Sequence, residues 1–368
     1  MGFGTGHNAA AHAIQSHLHT STQVEAVTQD ILELIPGTLH PLLQSGYHGM
    51  LSKFPSIYHV LYDWTHQSRV VRYVSSELIE KIGWTVRKKM MEIFTKVNPT
   101  RIITTHPFGL MVCPSAYQCL PTVAVVTDYE LHPIWLTKTP NVLCTPKKLI
   151  SPMQTDQIQW QTGITLHETG IPIRATFYQP IDKKSAREKL GLKPNPPVVL
   201  IMGGGTGMGP LEQLVSELRP LIDVQFIVLT GNNINLYHRL KSKYTYDHIQ
   251  IEGFRSDMEY WMAAADLLVT KPGGITVSEA IAKQLPMFLF EAFPGQEEAN
   301  QQYLIKNRVA FLTRPATIRV QIEKFFSYTR KNGKFEDRFQ ALLSQDATTQ
   351  IVEQTLQLPI PKETTIQV

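Results

Sequence analysis

The stretch PVVLIMGGGTGMGPLEQLVSELRPL, residues 197–221, decides the fold of this 368-residue chain. It opens with an apolar run, continues through a loop rich in glycine, and ends with apolar residues at helical spacing. A continuously apolar strand is typical of a parallel sheet that is covered on both faces. The strand, loop and helix therefore predict an α/β domain in which strands and helices alternate.

The residues after this stretch repeat the alternation. Apolar runs at 224–231, 248–254 and 285–291 predict three further strands, and residues 258–274 predict a helix, a fourth strand and a turn. Helical patterns separate the strands. The end of the chain, residues 336–358, predicts a single helix, and residues 359–368 form a polar tail. The second half of the chain is thus expected to fold as one parallel-sheet domain.

The first half predicts a second domain of the same class. Residues 100–105 and 121–127 are apolar and β-branched enough to be buried strands, and residues 8–19 predict a helix with Asn8 as its N-cap. A chain of this length exceeds one ordinary core. We therefore expect two Rossmann-like domains, residues 1–172 and 173–335.

Composition limits the class of protein. Hydrophobic residues at 43% and charged residues at 18% indicate a folded globular chain. The three cysteines lack CxxC spacing, which favours a reduced compartment without structural zinc. No apolar run reaches the roughly 20 residues that cross a bilayer, and no signal peptide is evident. The net charge of +4 is compatible with an anionic ligand or membrane surface.

Two loops carry the signs of a phosphate site. In GGGTGMG, residues 203–209, glycine lets a diphosphate approach the backbone N–H groups at the start of a helix. The loop lacks the Gly-Lys-Ser/Thr of a Walker motif, and no acid ends the next strand as in dinucleotide-binding folds. In TKPGGITVSEA, residues 270–280, Thr276 and Glu279 predict either a capping box or a carboxylate that accepts both hydroxyls of a ribose.

Several segments together resemble one family. GTGH (4–7), VTDYELHPIW (126–135), ETGIPIR (168–174), IMGGGTGMG (201–209) and TKPGGITVSEA followed by PGQEEANQQYL (294–304) are similar to inverting, metal-independent GT-B glycosyltransferases. The resemblance is to plant monogalactosyldiacylglycerol synthases and bacterial processive diacylglycerol glucosyltransferases. It implies an N-terminal acceptor domain and a C-terminal donor domain that face each other across a cleft, with a C-terminal helix that returns to the first domain.

The resemblance also implies the donor, a UDP-sugar with glucose or galactose, and no metal or other cofactor. Phe254 and Arg255 would border the uracil, and Glu279 would take the ribose hydroxyls. PGQEEANQQ supplies the short polar side chains that read hexose hydroxyls. The residues expected around the diphosphate are Gly204, Gly205, Thr206, Gly207, Gly274, Ile275 and Thr276, and those expected at the hexose are Gln296, Glu297, Asn300 and Gln301. The leaving group would be stabilised by backbone amides and helix dipoles alone.

On the acceptor side, the resemblance makes His7 the candidate general base, because a neutral imidazole is available at cellular pH. A histidine at the start of a helix is otherwise a solvated cap residue. Asp128 would either orient His7 or bind the glycerol hydroxyl. Gly4, Gly6, His106 and Trp135 are expected to line the acceptor site, and His132 is an alternative to His106.

The start of the chain departs from the family pattern. Relatives carry a full strand before the glycine-rich turn, whereas only Met1, Gly2 and Phe3 precede it here. We expect the first sheet to lack this strand, and the chain as written to melt at a lower temperature than a version extended upstream.

The resemblance implies diacylglycerol as the acceptor, and this lipid implies contact with a membrane. Residues 46–74 are rich in aromatic and basic residues and predict either an interfacial segment, with Tyr47, Phe54, Tyr58 and Trp64 at the headgroups, or an ordinary core helix. Lys88 and Lys89 would add attraction to anionic lipid. We expect a cytoplasmic enzyme held peripherally at the inner face of the cell membrane, with no nucleic-acid partner. Transfer to another lipid, such as an undecaprenyl-linked acceptor, and a non-catalytic nucleotide-sugar-binding protein are the alternatives.

Overall fold

The computed structural model describes residues 5–34, 86–290, 292, 295–332, 336–344 and 346–360. The chain divides into two compact units. The first comprises Met1–Ala175, Phe293–Gln296 and Ser344–Val368, and the second comprises Thr176–Ala292 and Glu297–Leu343. Each unit contains one parallel β-sheet, as the alternation of strands and helices predicts.

The first unit is built on four parallel strands in the order β1-β2-β3-β4. The strands are β1 (Ile102–Thr104), β2 (Thr122–Val125), β3 (Val142–Thr145) and β4 (Thr165–Glu168). The helices that precede or connect them are α1 (Thr5–Ser21), α2 (residues 86–97), α3 (Pro107–Val112) and α4 (Pro152–Thr162). Short 3₁₀ turns lie at Ile31–Leu34, Ser115–Tyr117 and Pro133–Leu136.

Both faces of this sheet are covered, which explains why its central strands β2 and β3 are mostly apolar. Because side chains alternate along a strand, Val123 and Val125 point to one face of β2, where they pack with Ile14 and Leu18 of α1. Ala124 and the residues in register with it point to the other face. That face packs with Leu110, Trp135 and Ile164.

The first helix begins earlier than its sequence pattern predicts. It starts at Thr5, so Asn8 lies inside the first two turns and the prediction of Asn8 as N-cap is wrong. The side chain of Asn8 instead donates a hydrogen bond to Oδ2 of Asp30 at 2.7 Å. The helix therefore carries His7 in its first turn.

The second unit contains six parallel strands in the order β10-β9-β8-β5-β6-β7. The strands are β5 (Val198–Met202), β6 (Gln225–Leu229), β7 (Ile249–Glu252), β8 (Leu267–Thr270), β9 (Met287–Leu289) and β10 (Ala310–Leu312). Its helices are α5 (Lys183–Lys189), α6 (Leu211–Leu218), α7 (Ile234–Lys243), α8 (Met258–Ala264), α9 (Gly274–Ala282), α10 (Gln296–Lys306), α11 (Pro315–Asn332) and α12 (Glu336–Gln340).

The strand order of the second sheet reverses between β5 and β8. From β5 the chain builds β6 and β7 on one side, and it then crosses back to build β8, β9 and β10 on the other. The loops that follow β5 and β8 therefore lead away in opposite directions from neighbouring strand ends. Open parallel sheets bind their ligands in the crevice that such a reversal leaves at the carboxyl edge.

The C-terminal part of the chain forms two helices, so the prediction of one helix over residues 336–358 is wrong. The second, α13 (Ala347–Gln357), begins at Asp346, whose side chain accepts from the backbone N–H groups of Thr348 and Thr349. This cap starts a new helix instead of continuing α12. As expected, the C-terminal helix belongs to the first unit, where α13 packs on α1 and β2. Arg101 holds its end through the carbonyl oxygens of Leu356 and Leu358.

Candidate functional site

The glycine loop after β5 has a backbone path that side chains would obstruct. Gly204 and Gly207 have positive φ angles of 68° and 63°. A Cβ on Gly203 would lie 1.9 Å from the carbonyl oxygen of Met208, and one on Gly207 would lie 2.1 Å from that of Thr230. The loop closes on itself through hydrogen bonds from Gly207 N to Gly204 O (3.1 Å) and from Met208 N to Gly203 O (2.9 Å).

This path leaves a row of backbone donors unused. Within the described part of the chain, the N–H groups of Gly204, Gly205 and Thr206 donate to no intramolecular acceptor. Successive unpaired N–H groups at a strand-to-helix turn form a concave site for an anion. The loop can therefore hold a phosphate group.

The loop after β8 provides a second row of donors. Helix α9 starts at Gly274 with Gly273 as its N-cap, and no side chain caps it. The prediction of a capping box is therefore wrong, because Thr276 already lies in the first turn and Glu279 in the second. Among the described residues, the N–H groups of Gly274, Ile275 and Thr276 have no acceptor, as expected for a helix start.

Lys271, which sequence reasoning missed, follows β8 directly. A Cβ on Gly204 would lie 3.1 Å from Lys271 Cε, so the lysine passes beside the first glycine loop. Its Nζ donates to Oε1 of Glu297 at 2.5 Å. The TKPGG motif draws attention to Lys271, but the residues that it contacts, Gly204 and Glu297, are distant from it in sequence.

The four residues expected at the hexose lie in the first half of α10 and differ in their exposure. Gln296, Glu297 and Gln301 are partly exposed, whereas Asn300 is fully buried. The Asn300 side chain donates to the carbonyl oxygen of Pro272 at 2.9 Å. Asn300 thus fastens α10 to the turn after β8, and this differs from the expectation that it faces a sugar.

Phe254 and Arg255 lie beyond the end of β7. The ring of Phe254 is 60% exposed, which leaves a face available for stacking. Arg255 forms an ion pair with Glu252, and its guanidinium carbon lies 5.4 Å from the centre of the Trp261 ring. The proposed contacts of Phe254 and Arg255 with a base remain predictions.

In the first unit, His7 is held at the carboxyl ends of β1 and β2. Its Nδ1 lies 2.9 Å from the carbonyl oxygen of Thr105 and 2.7 Å from Oγ1 of Thr127. The hydroxyl of Thr105 donates back to the carbonyl oxygen of His7 at 3.0 Å. The imidazole is therefore fixed from two strand ends.

These contacts assign the tautomer of His7. A carbonyl oxygen can only accept, so Nδ1 carries the proton and Nε2 presents a lone pair. Burial lowers the pKa of His7, while the negative charge of Asp128 opposes that change. The hydrogen bonds fix the orientation of the His7 ring, and burial favours the neutral imidazole. Both properties suit a general base.

The other residues expected at the acceptor differ in their exposure. Asp128 and Gly6 are partly buried, and the ring of His106 packs edge-on against His7 with centroids 4.6 Å apart. His106 and His132 each accept a backbone N–H at the start of a short helix. Trp135 is 4% exposed and packs in the core, so it offers no surface to a lipid, contrary to expectation.

His106 gives a testable dependence of stability on pH. Burial, and secondarily the neighbouring imidazole of His7, lower the pKa of His106 well below its ordinary value of 6.5. The unfolded chain therefore takes up a proton below pH 6.5 that the folded chain does not. Stability is fully present above pH 6.5 and falls as the pH decreases from there towards the lowered value. At pH 5.5 the free energy of unfolding is lowered by on the order of 1 kcal/mol through His106.

We expect His106→Asn to reduce this loss, because asparagine keeps the helix cap without titrating. The measurement is the free energy of unfolding by urea at pH 7.5 and 5.5 for both proteins. Equal losses in the wild type and the variant would contradict the prediction.

Some of the predicted residues lie outside the described residues: Gly4, Tyr47, Phe54, Tyr58 and Trp64. Lys88 and Lys89 are on α2, where Lys88 is exposed and Lys89 is partly buried. In the described ranges, no helix is both long and apolar enough to cross a bilayer. The same ranges contain no group of three or more histidine, cysteine or acidic side chains arranged for a metal ion.

Two family models match the chain, one in its first half and the other in its second half. Residues 7–173 match the family model for monogalactosyldiacylglycerol (MGDG) synthase, and residues 198–348 match that for the glycosyltransferase family 28 C-terminal domain. Among solved structures, that of MurG from Acinetobacter baumannii covers 76% of this chain and 79% of its own, with a TM-score of 0.53 and 14% identity. At this identity the likeness shows the fold alone, which is GT-B.

Curated relatives are similar over most of the chain. A probable monogalactosyldiacylglycerol synthase 2 from Oryza sativa subsp. indica is 28% identical over 77% of this chain and 64% of its own length. A processive diacylglycerol beta-glucosyltransferase from Staphylococcus carnosus is 32% identical over 58% of this chain and 56% of its own. Monogalactosyldiacylglycerol synthase 2 from Arabidopsis thaliana is 25% identical over 95% and 78%. The chain thus spans just under two thirds of the rice relative's length.

Proposed function

The chain belongs to the glycosyltransferase family that the MGDG synthase and family 28 C-terminal models define, and from this we propose that it transfers a hexose from a UDP-sugar to diacylglycerol. The curated relatives support this proposal, since their names describe galactose and glucose transfer to that lipid. The structure supports it through six backbone N–H groups after β5 and β8 that have no acceptor among the described residues and that can bind a diphosphate.

Different residues of the second unit would bind different parts of the nucleotide sugar. Gly204, Gly205 and Thr206 would bind one phosphate, and Gly274, Ile275 and Thr276 the other. Glu279 is partly exposed and would accept hydrogen bonds from the ribose hydroxyls. Phe254 would stack on the uracil, and Gln296 and Gln301 would pair with hexose hydroxyls.

The reaction would be a single displacement at the anomeric carbon. The acceptor hydroxyl gives its proton to Nε2 of His7 while its oxygen forms the new glycosidic bond. The bond from the anomeric carbon to the diphosphate breaks on the opposite side, and its electron pair stays on UDP. An α-linked donor then gives a β-glycoside. Asp128 opposes the lowering of the His7 pKa and so favours the imidazolium that forms.

Diacylglycerol remains within a bilayer, so the enzyme would act at a membrane surface. The exposed Lys88 on α2 would be attracted to anionic lipid. Binding at the inner face of the cell membrane is part of this proposal.

The test is to incubate the purified chain with diacylglycerol vesicles and either UDP-glucose or UDP-galactose, and to measure product masses. Monohexosyl diacylglycerol supports the proposal, and further additions of hexose would indicate processive transfer. UDP binding without product on diacylglycerol, but with product on an undecaprenyl-linked acceptor, would contradict the proposed lipid. UDP binding without product on either would indicate a binding protein.

A further inference from the structure

Lys271 occupies the point where the two rows of unpaired backbone donors meet. Strands β5 and β8 are neighbours, and Met202 at the end of one is in register with Thr270 at the end of the other. Lys271 comes next after Thr270, and its Cε lies beside Gly204. A cationic side chain therefore stands at the edge of the sheet where the loops after β5 and β8 begin.

The charge of Lys271 is balanced by a residue from another element. Its Nζ pairs with Glu297 of α10, and the two side chains are 22% and 16% exposed. Asn300, one turn further along α10, is fastened to the carbonyl oxygen of Pro272. Helix α10 thus holds its Glu297 carboxylate against the turn that carries Lys271.

A cation at this position would stabilise the leaving group of the proposed reaction. As the sugar leaves, a negative charge develops on a diphosphate oxygen. The N-terminus of α9 offers roughly half a unit of positive charge, which is less than the charge that develops on the leaving group. A lysine ammonium adds a full unit in a partly enclosed place, where charge pairs are less screened than in bulk water.

We infer that Lys271 is a catalytic residue that binds the donor diphosphate, and that Glu297 is a positioning residue that holds Lys271 while the site is empty. This inference rests on the proposed function. When the donor binds, Nζ of Lys271 exchanges the Glu297 carboxylate for a phosphate oxygen, and Glu297 becomes able to accept a hydrogen bond from the hexose. Recognition of the sugar is thereby linked to neutralisation of the leaving group.

The test compares the binding of UDP and of uridine, which lacks the phosphates, by titration calorimetry. We expect Lys271→Met to weaken UDP binding by roughly ten- to a hundredfold, the value of a hydrogen bond to a charged group. Lys271→Arg should stay within a few-fold of the wild type, and uridine should bind all variants equally. Lys283→Met is the matched control, because Lys283 is also partly buried and lies at the other end of α9.

Glu297→Gln tests the exchange itself. Without the competing carboxylate, UDP should bind a few-fold more tightly, while kcat with the UDP-sugar should decrease. A purely structural role for the pair predicts the opposite, weaker binding of both UDP and uridine by Lys271→Met and Glu297→Gln. UDP affinity that is unchanged in Lys271→Met would overturn the inference while leaving the proposed function in place. A wild-type chain that binds no UDP would overturn the proposed function as well.

Discussion

His7→Asn is expected to lower kcat by about a thousandfold and to leave the affinity for UDP within about twofold of the wild type. Asparagine can reproduce the structural contact, because its side-chain amide can donate to the carbonyl oxygen of Thr105 as Nδ1 does. It has no nitrogen at the position of Nε2, so it cannot take the proton of the acceptor hydroxyl. The variant therefore separates the chemical role of His7 from its role in packing.

The measurement is the rate of hexosyl-lipid formation at saturating UDP-sugar, with UDP affinity determined in parallel. His12→Asn is the matched control, since His12 lies on the same helix and is exposed. It should retain the wild-type rate. Equal rates for His7→Asn and the wild type would contradict the role of general base. A parallel loss of UDP affinity would point to a disturbed fold instead.

Gly207→Ala is expected to abolish measurable UDP binding and to lower the free energy of unfolding by about 3 kcal/mol. The left-handed conformation at Gly207 costs an alanine about 1 kcal/mol. The added Cβ would also meet the carbonyl oxygen of Thr230 at 2.1 Å, which forces the backbone to move at a cost of about 2 kcal/mol. Moving this backbone disturbs the loop whose N–H groups would bind the phosphate.

Gly191→Ala separates the two contributions. Gly191 has a similar φ of 69°, but nothing lies within 4 Å of the position of its added Cβ. It should lose only the conformational part of the free energy, about 1 kcal/mol, and should bind UDP normally. Urea unfolding and UDP titration of both variants measure the two effects. Equal destabilisation by the two substitutions would contradict the steric argument.

The central strands of the second sheet were predictable because they are buried on both faces, whereas the edge strand β10, with Phe311 and Leu312 exposed, was not predicted. Strand β5 is apolar over its whole length and β6 is apolar after Gln225, which distinguishes both from loops in the sequence alone. Strand β4 was not predicted, because it lies at the edge of its sheet and its sequence, Thr-Leu-His-Glu, contains one apolar residue. Edge strands need less apolar surface and therefore leave a weaker signal.

The site was predicted in its loops and less well in its side chains. A glycine-rich loop is a local feature of the sequence, so the loop at residues 203–209 can be recognised without knowledge of tertiary contacts. The roles of Lys271 and Asn300 depend on contacts with residues about 26 or more positions away, namely Glu297 and Pro272. Trp135 was misjudged because an aromatic side chain can serve a core or a membrane equally well, and only packing decides between them.

The packing of α13 on the first sheet has a consequence for synthesis on the ribosome. Ile351 and Val352 complete the apolar face that Ile14, Leu18 and Val123 begin, although more than 200 residues of chain separate them from Val123. During translation this face stays uncovered while the whole second unit emerges and folds. The amino-terminal sheet can reach its final state only after the last helix has left the exit tunnel, so a nascent chain arrested before residue 347 would present an open apolar surface to chaperones.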